Sequence, residues 1–161
     1  MPPTISPAIQ DFYPRGFDTC YGCGRSNPHG MQLKSRWDGE GPDVVAHYTP
    51  RPEQIGVSGF AYGGLIASLI DCHAMATAAA ASERAEGRAI GEREAPRYVT
   101  ASLKVDFVKP TPADCELEVR ARVRELGARK AIVEATVSAN GVVTARGEVV
   151  AVRIPETMSG G

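Results

Sequence analysis

Tyr62-Gly63-Gly64-Leu65-Ile66-Ala67-Ser68-Leu69-Ile70-Asp71-Cys72-His73-Ala74-Met75-Ala76-Thr77-Ala78-Ala79-Ala80-Ala81 contains no proline, and no glycine after Gly64. Alanine and leucine favour the helical state, so the stretch reads as one long helix. Apolar residues occur on all its faces, which predicts burial round most of its circumference. Asp71 is its only carboxylate, and a charge is seldom buried without a partner or a purpose. The two leading glycines leave backbone N–H groups open at the positive end of the helix dipole, a place suited to an anion. Gly63 and Asp71 lie about 12 Å apart along the axis at 1.5 Å per residue. Amides and carboxylate of one helix are therefore too far apart to act on one carbonyl. A second copy of the helix, antiparallel to the first, would bring them together, which predicts a homodimer with a shared site.

The rest of the chain bounds the problem. At 161 residues it is long enough for one domain with a real core. A net charge of −1 gives no global pull toward nucleic acid or an acidic membrane. The helix is long enough to raise a transmembrane reading, but Asp71 and His73 at its middle argue against one. Met1-Pro2-Pro3-Thr4 lacks a basic segment followed by an apolar run, so a cytoplasmic location with reduced thiols is the expectation.

Outward from the helix, residues 1–19 read as an N-terminal arm with a short helical turn near Pro7 to Tyr13, and 155–161 as a C-terminal tail. The domain proper is expected over 20–154. Cys20-Tyr21-Gly22-Cys23 has metal-ligand spacing with His29 nearby, but no second cysteine pair follows, so a glycine-rich knuckle without metal is expected. Met31 to Trp37 alternates as a half-buried strand, Asp38 to Gly41 is a turn, and Val44 to Tyr48 returns. His47 reads as a solvent-facing or satisfied residue. Thr49 to Ala61 is an irregular approach to the helix, with Gln54 and Ser58 as polar candidates beside it. Ser82 to Pro96 reads as an exposed connection with a possible helical extension. Strands follow at Val99 to Val108, Cys115 to Leu126, Lys130 to Ser138 and Val142 to Ile154, the last kinked or bulged near Gly147. Asn140-Gly141 is the strongest hairpin signal. Short connections imply antiparallel pairing, so the class is α+β.

Arg120, Arg122, Arg124 and Lys130 are open to coenzyme A phosphates, but they read first as a solvated strand face. Cys72 reads as core, and Ser68 and Thr77 as bonded back to helix carbonyls. His73, two residues past Asp71, points away from its face and reads as structural or as a pocket wall.

This order resembles the hotdog fold, a curved antiparallel sheet wrapped round a long central helix. It is most similar to the phenylacetate-pathway-type branch of hotdog acyl-CoA thioesterases. The resemblance covers about residues 20–154 and is most specific at Gly63-Gly64 and Asp71. Cys20-Tyr21-Gly22-Cys23-Gly24 with Asn27-Pro28-His29-Gly30-Met31 is similar to the opening of a CxGCGxxNPxGL subgroup. Pro52 to Gly59 and Phe107-Val108-Lys109-Pro110 are similar to that subgroup's loop and strand end. The resemblance implies a homodimer or a dimer of dimers, an acyl-CoA substrate, and no cofactor beyond the coenzyme A the substrate carries. It implies Gly64 as the oxyanion donor, Asp71 as general base or nucleophile, and Thr100 as a water-positioning hydroxyl. Gly63, Tyr62, Gln54 and Ser58 would line the substrate site. Tyr62 stands where the family usually has His, and a phenol is neutral near pH 7 and bulkier. That departure keeps a second reading open, a hotdog protein that binds an acyl thioester or small ligand without hydrolysing it. A hydratase ranks last, because His73 and Asp71 do not share a helix face.

Overall fold

A computed structural model describes residues 5–155. Its elements are a single 3-10 turn at Ile9–Phe12, strands β1 (Arg36–Trp37) and β2 (Val44–Tyr48), helix α1 (Gly63–Ala85), and strands β3 (Tyr98–Phe107), β4 (Leu117–Leu126), β5 (Lys130–Ala139) and β6 (Val142–Arg153). The strands form one antiparallel sheet in the order β1-β2-β4-β5-β6-β3. The sheet wraps α1, which packs chiefly on β4, β5, β3 and β6. The α+β class and the wrapped helix expected from the sequence are both present.

The helix is long and apolar enough to cross a membrane by length and composition. Here its apolar residues are spent on the sheet. Leu65, Ile66, Leu69 and Ile70 are at most 1% exposed, against Val119, Val133, Val137 and Val149 at 0%. Burying each such side chain contributes about 1.5–3 kcal/mol. The buried run Ala74, Ala76, Ala78, Ala79 and Ala80 lets the backbones approach closely. One stripe stays partly open: Gly64, Ala67, Ser68, Asp71 and Met75, the three-and-four spacing of a single helix face.

Gly147 belongs to this closeness. A Cβ there would lie 2.6 Å from Ile70 Cγ2. No bulge falls on Gly147 itself, but β6 is bulged near it, as expected: Val137 pairs with Ala145 and Ser138 with Val143, so Thr144 is the extra residue. A strand glycine marks either a bulge or a close approach, and pattern alone does not separate them. Asn140 and Gly141 take positive φ of 51° and 77°, as the two-residue hairpin turn demands.

The strand expected from Met31 shrinks to Arg36–Trp37. Its alternation is right, with Met31, Leu33 and Ser35 buried and Gln32 exposed. Its partners are not a ladder: Met31 N–H donates to Tyr21 O (2.7 Å) and Leu33 N–H to Gly22 O (3.1 Å), and Gln32 has a φ of 53°. Within residues 1–19 the expected short turn is present; Ala8, Ile9 and Gln10 are at most 1% exposed, and Ile9 N–H donates to Ser35 O at 3.0 Å, so this segment packs into the core. Of the expected tail, residues 156–161 lie outside those described.

Gln10 begins a buried polar chain. Its Nε2 donates to Ser35 Oγ (2.8 Å) and its Oε1 accepts from Ser35 N–H (2.8 Å). Ser35 Oγ is 2.8 Å from His73 Nδ1, and His73 Nε2 is 2.9 Å from Val44 O. A carbonyl only accepts, so Nε2 carries the proton and Nδ1 accepts from the serine hydroxyl. The chain ties arm, hairpin and helix together, and it accounts for His73 as a structural residue. Desolvation holds His73 down at about 4. Ser68 Oγ and Thr77 Oγ1 donate back to Gly64 O (2.7 Å) and His73 O (2.8 Å), as expected. At the helix end Glu83, 1% exposed, pairs with Arg93 Nη2 at 2.7 Å and Arg88 Nε at 3.5 Å. This pins the connection after the helix.

Two outcomes are expected. Gly147→Val overpacks the helix–sheet contact and lowers stability by about 1–3 kcal/mol in urea unfolding. His73 is neutral in the fold and protonates near 6.5 when unfolded, so the unfolded chain binds the extra proton. Stability is therefore full above pH 6.5 and falls by about 3 kcal/mol as pH drops toward 4. Denaturant midpoints measured across this range should show a shallower fall in His73→Gln.

Candidate active site

The helix begins with Tyr62 as N-cap in extended conformation (φ −72°, ψ 149°) and without a side-chain cap. Leu65 N–H donates to Tyr62 O at 3.1 Å. Gly63 and Gly64 are the first helical residues, so their amides have no carbonyl one turn earlier to meet. Both glycines lie close under aromatic rings. A Cβ on Gly64 would come within 2.4 Å of the Tyr62 ring, and one on Gly63 within 3.3 Å of the Phe107 ring. The helix start is thus clasped between two aromatic rings. In sequence Phe107 opens the Phe107-Val108-Lys109-Pro110 strand end, and no local pattern places its ring on Gly63.

The approach loop is held to the strand end beyond β3. Ala61 N–H donates to Thr111 O (2.9 Å), and Ala113 N–H to Gly59 O (3.1 Å). Between loop and strand end lies a largely apolar cleft of ≈ 610 Å³, lined by Val57, Phe60, Tyr62, Gly63, Ile66 and Phe107 among others, with Lys109 also in its wall. Gln54 is 6% exposed and does not line the cleft. Its Oε1 accepts from Tyr48 Oη and from Arg51 N–H, both at 2.8 Å, and its own carbonyl accepts from Tyr62 N–H at 3.3 Å. Gln54 therefore braces the loop that sets the N-cap. Ser58 is exposed at the loop tip and lies outside the cleft lining.

Two turns along the helix, Asp71 lies on the open stripe. Thr100 Oγ1, on β3, donates a short hydrogen bond to Asp71 Oδ1. Asp71 and Thr100 are thus brought together, and so are Gly63 and Tyr62 with the cleft, while the cleft lining excludes Asp71 and Thr100. One chain holds the two halves of the expected site on one helix face but apart. Beside them, β3 is the sheet edge, exposed along nearly its whole length, and Val99, Leu103 and Phe107 are 43%, 38% and 57% exposed.

The other candidates fall elsewhere. His47 is half-exposed, 3.7 Å from Glu118. Arg120 is held by Asp38, Asp43 and Glu118 at 2.7, 3.2 and 3.0 Å, and Arg124 by Glu134 and Glu148 at 3.0 and 2.7 Å. These are the solvated face expected, and Arg120 with Arg122, Glu134 and Glu148 lines a charged depression on the sheet. Cys72 does not simply fill the core. It meets Cys20 and Cys23, with the Cys20 and Cys72 Sγ atoms in hydrogen-bond contact at 3.8 Å. Accepting from Cys23 and Cys72 holds Cys20 far below the ordinary thiol range and, reciprocally, pushes Cys23 up to about 12.

A family model described as Thioesterase superfamily matches residues 58–146, the loop, the helix and the strands through most of β6. A crystal structure of a Thioesterase superfamily protein from Shewanella loihica PV-4 is 43% identical, covers 80% of this chain and 96% of its own, and superposes with a TM-score of 0.63. The PaaI protein of the E. coli phenylacetic acid degradation operon shares the fold at 16% identity, covering 78% of this chain and 81% of its own (TM-score 0.62). A phenylacetic acid degradation-related protein of Ralstonia eutropha JMP134 does so at 18%, covering 77% and 86% (TM-score 0.59). No curated protein matches. With a wrapped central helix, a double-glycine start and these matches, the chain belongs to the Thioesterase superfamily and has its hotdog fold.

Proposed function

We propose that the protein hydrolyses acyl-CoA thioesters at a site completed by a second copy of the chain. The observation that carries this reading is the Asp71–Thr100 pair, a carboxylate oriented by a hydroxyl on the helix stripe that begins at Gly64. Thr100 spends its only O–H on one carboxylate oxygen, which leaves Asp71 Oδ2 free to act and the Thr100 lone pairs free to accept from a water. In the dimer, helices lie antiparallel across the β3 edges, and the carboxylate of one subunit faces the glycine start of the other. The unpaired edge with its apolar Val99 and Leu103 is the surface that such a partner covers.

The acyl or aryl group lies in the apolar cleft, small to medium in size, and its carbonyl oxygen points to the helix start. Water oxygen attacks the carbonyl carbon while Asp71 takes a water proton; alternatively the carboxylate itself attacks and water resolves the anhydride. Negative charge builds on the carbonyl oxygen, where the Gly64 amide donates. Such a donor contributes about 2.7–4 kcal/mol. The C–S bond then breaks, and the coenzyme A thiolate recovers a proton from Asp71. Gln54 acts through the loop rather than on the substrate. The Tyr62 ring lies against Gly64, and its phenol takes the place of the usual His at the cleft rim.

Thiol release from short, long and aromatic acyl-CoAs tests the reading. Asp71→Asn should lower turnover by about 100-fold or more with the dimer intact on size-exclusion chromatography. Co-expressing Asp71→Asn with Gly64→Val chains should restore activity that neither has alone, since one site per mixed dimer keeps both native groups. Binding of acyl-CoA without turnover by the wild type would instead establish the non-hydrolytic reading.

A further inference from the structure

Cys72 lies next to Asp71 but turns inward, 9% exposed. There it meets a turn from the far N-terminal part of the chain. The sulfurs of Cys20, Cys23 and Cys72 all lie within 4.8 Å of one another, with Cys20 and Cys72 Sγ atoms 3.8 Å apart. The expectation of no metal rested on the lack of a second cysteine pair, and the helix supplies the third thiol that sequence spacing hid.

The turn is shaped for this meeting. Gly24 N–H closes it onto Cys20 O at 2.8 Å, and it is tied down by Met31 and Leu33 N–H donating to Tyr21 O and Gly22 O. A Cβ at Gly22 would lie 2.3 Å from Cys72 Sγ, and one at Gly24 would lie 2.5 Å from both Asp18 O and Cys20 N. Both glycines are needed for the sulfurs to converge. Alanine or serine would fill the same space as a buried thiol. Three thiols cannot be consumed by one disulfide, and thiol hydrogen bonds are weak. A tetrahedral zinc ion with Zn–S bonds of about 2.3 Å holds its sulfurs about 3.8 Å apart, close to the Cys20–Cys72 separation. Cys20 is exposed while Cys23 is buried, so the cluster opens to solvent on one side, where a water can complete the coordination.

We propose that Cys20, Cys23 and Cys72 form a three-thiolate site for one zinc ion, with solvent as fourth ligand. Thiolate sulfur selects zinc over the hard divalent ions. The ion clamps the N-terminal turn to the helix one residue from Asp71, as a structural brace. The proposal stands apart from the hydrolytic reading, because zinc binding is read without any acyl substrate.

The test is titration of the reduced, metal-free full-length protein. Zinc should bind at one equivalent per chain in competition with a chromophoric chelator and raise the melting temperature. Cobalt as a probe should give thiolate-to-metal charge-transfer bands in the near ultraviolet. Cys72→Ser and Cys20→Ser should each weaken binding by more than the about 10–100-fold that loss of a supporting residue costs, while Cys115→Ser, outside the cluster, leaves it unchanged. Absence of the charge-transfer bands in the wild type overturns the proposal whether or not the variants fold. So does a thiol count showing that two of the three sulfurs are joined as a disulfide in protein purified without reductant.

Discussion

Everything in this molecule depends on how close one sheet comes to one helix. A 23-residue helix is enclosed by strands on several sides only where its side chains are small. Along the buried alanines from Ala74 to Ala80 the helix side chains are small. At Ile70 the sheet gives way instead, since no Cβ fits at Gly147 beside it. Interiors are packed like crystals, so this division of sizes sets the helix position to a fraction of an ångström. The helix in turn carries both halves of the candidate site.

Burying nearly all of a helix also buries its polar groups. Each is answered locally. Thr77 and Ser68 bond back to the backbone, and His73 joins the chain from Gln10 through Ser35 to Val44 O. Glu83 is met by two arginines. These connections reach the arm, the early hairpin and the segment after the helix, so polar satisfaction and tertiary assembly are the same event. Asp71 is the exception in kind. It stays on the open stripe with a hydroxyl partner from the edge strand, where a carboxylate is available for chemistry.

The edge strand bears on the proposed sharing of the site. β3 pairs with β6 on one side only, and its exposed apolar side chains are a cost to a lone chain. In the proposed dimer an antiparallel second copy covers that edge and turns the separation of about two turns of helix into a contact between Gly64 of one subunit and Asp71 of the other.

From sequence alone, the helix, its breadth of burial, the alternating strands and the Asn140-Gly141 turn were readable, because each is a local pattern of side-chain size, period and turn chemistry. That Gly63, Gly64 and Asp71 lie on one helix about two turns apart was readable because helical rise is a fixed length. Other features belonged to the tertiary structure. Gly147 as a contact rather than a bulge, Gln54 as a brace, Phe107 against Gly63, the buried arm at Ile9 and Gln10, and Cys72 beside Cys20 and Cys23 each join residues distant in the chain. Local periodicity specifies which face a residue takes, and it carries no information about what the opposite face brings. Only the closing of the sheet round the helix decided those neighbours.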